Sequence, residues 1–166
     1  MTHIEALAAL QALYARIPTI SCQRLCGDAC GPIGMNYLEW IALRQHAPVR
    51  LVGKNEHCPL LRRGQCCAYR YRPLICRLWG TTVPLLCHFG CEPARWLTDE
   101  EANDILMEGE RLSQMLFPGQ RPRYIHTPAQ VRRVAEQAAE EFVTRRMFLA
   151  STAERLRARM QGDTDD

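Results

Sequence analysis

The segment CPLLRRGQCCAYRYRPLICR, residues 58–77, holds four of the chain's nine cysteines, five arginines and no Asp or Glu. Its apolar stretches CPLL and CCAY are separated by the turn-like RRGQ. This pattern predicts a small β-hairpin with Cys58 and Cys66 flanking the turn. A hairpin that brings two thiolates together presents half of a tetrahedral metal site.

Outward from this segment the cysteines continue as Cys22, Cys26 and Cys30 before it and Cys87 and Cys91 after it, with Cys67 beside Cys66. All nine lie between positions 22 and 91. Thiolates confined to so short a region repel one another unless a cation holds them, and a soft ion or an iron–sulfur cluster does so. A disulfide framework is the competing reading. Two observations weigh against it: the cysteine count is odd, and the opening MTHIEALAALQALYARIP scatters Glu5, Gln11 and Arg16 through what a secretory leader needs as one apolar run. A third reading, inert buried thiols, stays behind both. With no apolar run long enough to span a bilayer, the expectation is a cytoplasmic protein whose thiols stay reduced and open to metal.

From His57 to Cys91 the chain carries Arg62, Arg63, Arg70, Arg72 and Arg77 and no acidic residue. Four thiolates around zinc or an oxidised four-iron cluster leave a net charge of about −2. Arg72 and Arg77 are the donors expected beside the sulfurs, where such contacts tune affinity and potential. A solvated arginine face and an anion pocket are the other readings, and the bias of 20 Arg to 1 Lys runs through the whole chain. The net charge of +3 is too small to imply nucleic-acid binding by itself.

The flanks read as helices, and 47% hydrophobic content is enough for one core. Residues 2–17 place Leu7, Leu10, Tyr14 and Ile17 on a helical stripe ended by Pro18. Residues 21–34 form a ligand loop broken by Gly27, Gly31 and Pro32. Asn36 with Glu39 reads as a capping box for a helix reaching Gln45 and carrying Tyr37, Trp40, Ile41 and Arg44. The stretch 71–93 reads as mostly irregular and ordered by ligation. Thr98 with Glu101 opens another helix, with Ile105, Leu106, Leu112 and Met115, stopped at Pro118 and Gly119. A last helix from Thr127 to Met160, with Val131, Ala135, Ala138, Phe142, Leu149, Ala153 and Leu156 in register, would be about 50 Å long. That exceeds what a small core covers, so it either docks on a protein partner or second copy or breaks near residues 144–148. The fold class expected is mainly α with irregular cysteine-rich metal-binding loops and a small β-hairpin. Residues 1–126 form the metal-binding domain, 127–160 the partner-binding helix and 161–166 a disordered tail.

Residues 58–77 also read as C-P-x-L followed by C-x-x-Y-x-x-R-P-x-x-C-R, carried by Cys58, Pro59, Leu61, Cys66, Tyr69, Arg72, Pro73, Cys76 and Arg77. In this the chain resembles the YkgJ family, small bacterial cysteine-cluster proteins described as zinc- or iron-chelating. The resemblance covers about residues 20–95. Upstream the chain departs from the family's C-x-x-C-G-x-C-C, because each gap of Cys22, Cys26 and Cys30 is one residue longer and the terminal pair is missing. The resemblance leaves Cys67 a spectator and implies Cys22, Cys26, Cys30, Cys58, Cys66, Cys76, Cys87 and Cys91 as metal ligands, enough for two four-coordinate sites. His57 and His88 are expected beside ligands rather than as ligands. Related motifs occur in flagellin lysine methyltransferases, which look like iron–sulfur enzymes working with S-adenosylmethionine (SAM). The resemblance therefore places an iron–sulfur cluster, of 4Fe-4S type, ahead of zinc.

The sequence has no C-x-x-x-C-x-x-C radical motif, glycine-rich phosphate loop, H-E-x-x-H or nucleophile elbow. Three functions follow as expectations: an iron–sulfur protein in redox sensing, electron transfer or cluster-assisted modification; a zinc-stabilised module that binds protein or nucleic acid; and a SAM-dependent group transferase.

Overall fold

Paired capping interactions start three of the four α-helices among the described residues. Thr2 accepts from the Glu5 amide at 3.2 Å while the Glu5 carboxylate accepts from the Thr2 amide at 2.7 Å, opening α1 (His3–Arg16). Asn36 and Glu39 form the same box at the start of α2 (Tyr37–His46). After the short α3 (Leu74–Leu78), Thr98 and Glu101 open α4 (Asp99–Leu116). Each box satisfies amides that a helix start would otherwise leave unpaired. In this computed structural model residues 1–25, 30, 33–47, 58–87, 89–121 and 123–124 are described.

α4 is the element against which α1, α2 and α3 all pack. Its buried face, Ala102, Ile105, Gly109, Leu112 and Ser113, meets Ala6, Leu10, Leu13 and Tyr14 of α1, Leu38 of α2, and Leu74 and Leu78 of α3. Tyr37 and His3 set their rings edge-on to Phe117, closing the end of this layer. A second apolar cluster lies on the other side of α2. There Met35, Trp40, Leu43 and Ala47 pack with Cys58, Leu60 and Ala68, and Cys30, Cys66 and Tyr71 lean on it. Two antiparallel pairs complete the fold. β1 (Gly34–Met35) pairs with β4 (Arg123–Tyr124), and β2 (Leu61–Arg62) pairs with β3 (Gln65–Cys66).

The architecture is mainly α with a small hairpin, as expected. Details differ for physical reasons. α2 buries Leu38, Glu39, Trp40 and Leu43, so its inner face is turned from the Tyr37–Trp40–Ile41–Arg44 stripe, of which Trp40 alone is buried. Met115 is 55% exposed, because α4 presents Leu112 and Ser113 inward at that turn. The stretch read as irregular contains α3 and a 3-10 turn at Val83–Leu85, and another 3-10 turn, Tyr69–Tyr71, leads into it. The helix expected over 127–160 and the tail after it lie outside the described residues. Among those described, no helix is long and apolar enough to cross a membrane.

α3 forms because of a distant cap. Its own N-cap residue, Pro73, supplies no side-chain acceptor, and the Leu74 amide donates instead to Oε1 of Glu39 at 2.6 Å. Oε2 of the same carboxylate accepts from the Asn36 amide, and the Leu38 amide is taken by Ser113 Oγ at 3.2 Å. α2, α3 and α4 are thus tied through polar groups inside the core, which is stabilising only while every partner is present.

Gly109 marks a close approach of α4 to α3. A methyl group there would fall 2.5 Å from Leu74 Cδ1 and 3.3 Å from Asn36 Nδ2, and Leu74 is 1% exposed and has nowhere to move. Gly109→Ala should therefore lower stability in urea unfolding by about 1 kcal/mol, overpacking outweighing a helix-propensity gain of similar size.

Burial raises the Glu39 carboxyl from 4.5 to about 7, against the pull of the Leu74 and Asn36 amides. The folded state therefore holds this proton more tightly than the unfolded chain does. Its contribution is fully present below about pH 4.5 and is lost as pH rises through about 7. Relative to Glu39→Gln, the wild-type unfolding free energy should fall by on the order of 3 kcal/mol across that interval, measured by urea titration at several pH values.

Candidate metal centre

Cys30, Cys58 and Cys66, on the loop before β1 and on the hairpin, each raise the thiol of Cys76 on α3. The Cys58 amide donates to the Cys30 carbonyl at 3.0 Å, placing the loop before β1 against the foot of the hairpin. In the hairpin Leu61 pairs with Cys66, and the Cys67 amide extends the ladder to the Leu60 carbonyl at 2.8 Å. The connecting residues Arg63 and Gly64 both have left-handed backbone, φ 53° and 76°. This is the twist that a two-residue hairpin turn requires. Cys76 arrives on α3.

Burial pushes the Cys76 thiol far up, and Cys58, Cys30 and Cys66 push it the same way while Arg72 opposes them. Cys58 and Cys66 are raised by burial first, then by their thiol neighbours, including Cys67. Against this, the Leu60 amide favours the Cys58 thiolate and the Ala68 amide that of Cys66. The Arg24 amide donates to Cys22 Sγ at 3.3 Å. In all three the donor sits two residues after the cysteine.

Cys22, Cys87 and Cys91 form a second group. Cys91 accepts from the Gln23 amide, which favours its thiolate, but burial and the adjoining Cys87 and Cys22 leave the thiol raised. The strap carrying Cys22 is held by an Ile20–Pro93 bridge and by the Ala94 amide on the Thr19 carbonyl at 2.8 Å. The turn carrying Cys87 approaches it at Gly80, whose φ is +83° and where a Cβ would fall 2.5 Å from Ile20 Cδ1 and 3.4 Å from Cys87 Cβ.

Between the two groups stand Tyr69 and Arg72. Burial raises the Tyr69 hydroxyl, Arg72 opposes that shift and Cys22 adds to it. The Arg72 guanidinium lies 3.9 Å from the Tyr69 ring centre and that of Arg24 lies 4.6 Å away. The charge of Arg72 also reaches Cys66 and Cys76, and its Nε is buried with no acceptor. A buried N–H beside several thiols lacks the anionic partner that thiolate sulfur would be. Arg77 is placed differently. It donates through Nε to the Arg72 carbonyl at 2.9 Å and through Nη2 to the Arg70 carbonyl, with its guanidinium 3.9 Å from the Tyr14 ring centre. It braces the backbone from which Arg72 projects. The His46 ring, stacked on Tyr71 at 3.9 Å, braces the same turn from α2.

The spatial grouping cuts across the sequence clusters, because Cys22 and Cys30 fall in different groups. Cys67, beside Cys66 in the chain, is exposed. No disulfide joins the described cysteines. Among the described residues, no three His, Cys, Asp or Glu side chains converge closely enough to hold a single ion. Cys26, His57 and His88 lie outside them. Sequence reading overlooked Arg24 and the second role of Glu39, as acceptor for the Leu74 amide at the start of α3. Tyr69 was visible as a fixed motif position, but nothing local gave it a role. No family model, curated protein or solved structure matches the chain.

Gly80→Ala would force a side chain into left-handed backbone and against Ile20. Stability should fall by about 2 kcal/mol, from strain and overpacking together. Native-state alkylation read by mass spectrometry should find Cys22 and Cys87 more reactive than in the wild type.

Proposed function

We propose that this is a cytoplasmic, cysteine-ligated metal protein that holds an iron–sulfur cluster of the 4Fe-4S type on Cys30, Cys58, Cys66 and Cys76. The observation that carries this reading is that Cys30, Cys58 and Cys66 all raise the Cys76 thiol, beside the charge of Arg72, whose buried Nε–H has no acceptor. Thiols so placed stay protonated on their own, and a cation that displaces the protons turns mutual repulsion into ligation. The resemblance to the YkgJ family includes Cys58, Cys66 and Cys76 among the eight ligands it implies. Cys22, Cys87 and Cys91 make a second thiol site, with Cys26 as the fourth donor that the sequence supplies.

When bound, such a cluster supplies one-electron chemistry, suited to redox sensing, electron transfer or cluster-assisted modification. The protein's own groups set the conditions. Arg72 offsets the negative charge of the ligand set, and the Leu60 and Ala68 amides donate to the sulfurs of Cys58 and Cys66. The second apolar cluster keeps water from Cys58.

Zinc is the alternative, favoured by the hairpin, whose amide-capped Cys58 and Cys66 suit a single tetrahedral ion. The chain is then a zinc-stabilised module that offers residues 127–160 to a protein, a second copy or a nucleic acid. The experiment is metal and acid-labile sulfide analysis of anaerobically purified protein. The cluster reading expects a brown protein with about four iron and four sulfide per filled site, lost in Cys58→Ala and Cys76→Ala. A colourless, zinc-loaded protein would refute it in favour of the module.

A further inference from the structure

One ring, that of Tyr69, carries two guanidiniums. Arg72 lies 3.9 Å and Arg24 4.6 Å from its centre, which sets the two cations at most about 8.5 Å apart, a range over which solvent salt leaves charges coupled. The ring attracts each cation but neutralises neither. No carboxylate does so. The chain has no Asp or Glu from 58 to 91, and the ion pairs among the described residues, Arg95–Glu101 and Arg111–Glu108, lie on and beside α4. Both arginines are held where they are. Arg24 has left-handed backbone, φ 58°, which an L residue adopts only where its surroundings impose it, and its amide is fixed on Cys22 Sγ at 3.3 Å. Arg72 projects from a carbonyl that Arg77 grips at 2.9 Å, and its buried Nε lacks an acceptor. Arg72 is half-buried and Arg24 exposed, so the pair is open to solvent on the Arg24 side.

We propose that Arg24 and Arg72, gathered on the Tyr69 ring, form a binding site for a phosphate group. A guanidinium fork matches phosphate oxygens bidentately, and an anion received by two forks relieves the repulsion between them. Two cations also match the two charges of a phosphate dianion, whereas one carboxylate leaves a cation unanswered. A guanidinium has five N–H groups, so a role of Arg72 toward the thiols leaves donors for a second acceptor. The site needs no metal and stands whether or not the cysteines hold one.

The test is equilibrium dialysis of the full chain, purified anaerobically, against radiolabelled inorganic phosphate at constant ionic strength. Wild type should bind a single phosphate, and acetate should displace the label at least about tenfold less well than unlabelled phosphate does. Arg24→Gln removes one guanidinium from an exposed side chain and should weaken phosphate binding about tenfold. Arg63→Gln removes the same charge from the hairpin turn and should leave binding unchanged. Equal weakening by the two variants would overturn the site in favour of diffuse attraction to a basic surface. Acetate displacing the label as well as phosphate would overturn the assignment to phosphate, and a wild type that retains no label would overturn the site outright.

Discussion

The Glu39 carboxylate is the tie on which the arrangement of this protein depends. It closes the capping box of its own helix, and it supplies the acceptor that Pro73 cannot give to the amide of Leu74. Without that acceptor α3 would begin with an unpaired buried N–H, at a cost of about 1–3 kcal/mol. α3 is only five residues long and has little helical stability of its own. Yet it carries Cys76, and Arg77 on it fixes the carbonyls of residues 70 and 72. The position of the most perturbed thiol thus traces back to a buried acid on another helix.

The two apolar clusters divide the work. One, built on α4, makes the helical body. The other, under the hairpin, contains Cys58 and seats Cys30 and Cys66 at its edge. A hairpin of four paired residues would not hold its shape alone. Packing of Leu60, Ala68 and Trp40 gives it a base, and the left-handed pair Arg63–Gly64 gives it the right twist.

Much of the body was legible in the sequence, because helix starts are local signals. Asn36 with Glu39 and Thr98 with Glu101 announce themselves over four residues, and Pro18 and Pro118 mark stops. RRGQ announced the hairpin for the same reason. The thiol grouping was not legible, because it depends on which loop crosses which. Cys30 joins Cys58 through a backbone bond, whereas Cys22, eight residues earlier, is carried off by the Ile20–Pro93 bridge toward Cys91. No spacing rule separates two cysteines of one loop in that way. The burial of Glu39 was hidden by its capping signature, which is satisfied as well at an exposed helix start as at a buried one.

Arg72 carries a consequence for how the two thiol groups behave. One guanidinium stands between the two, acting on Cys66 and Cys76 and lying over the ring of Tyr69, on which Cys22 also acts. A single positive charge cannot neutralise two anionic neighbours independently. As one group gains negative charge it draws more fully on Arg72, and the other is left less compensated. The two halves are therefore one electrostatic unit, and a property assigned to either is defined only when the charge of the other is specified.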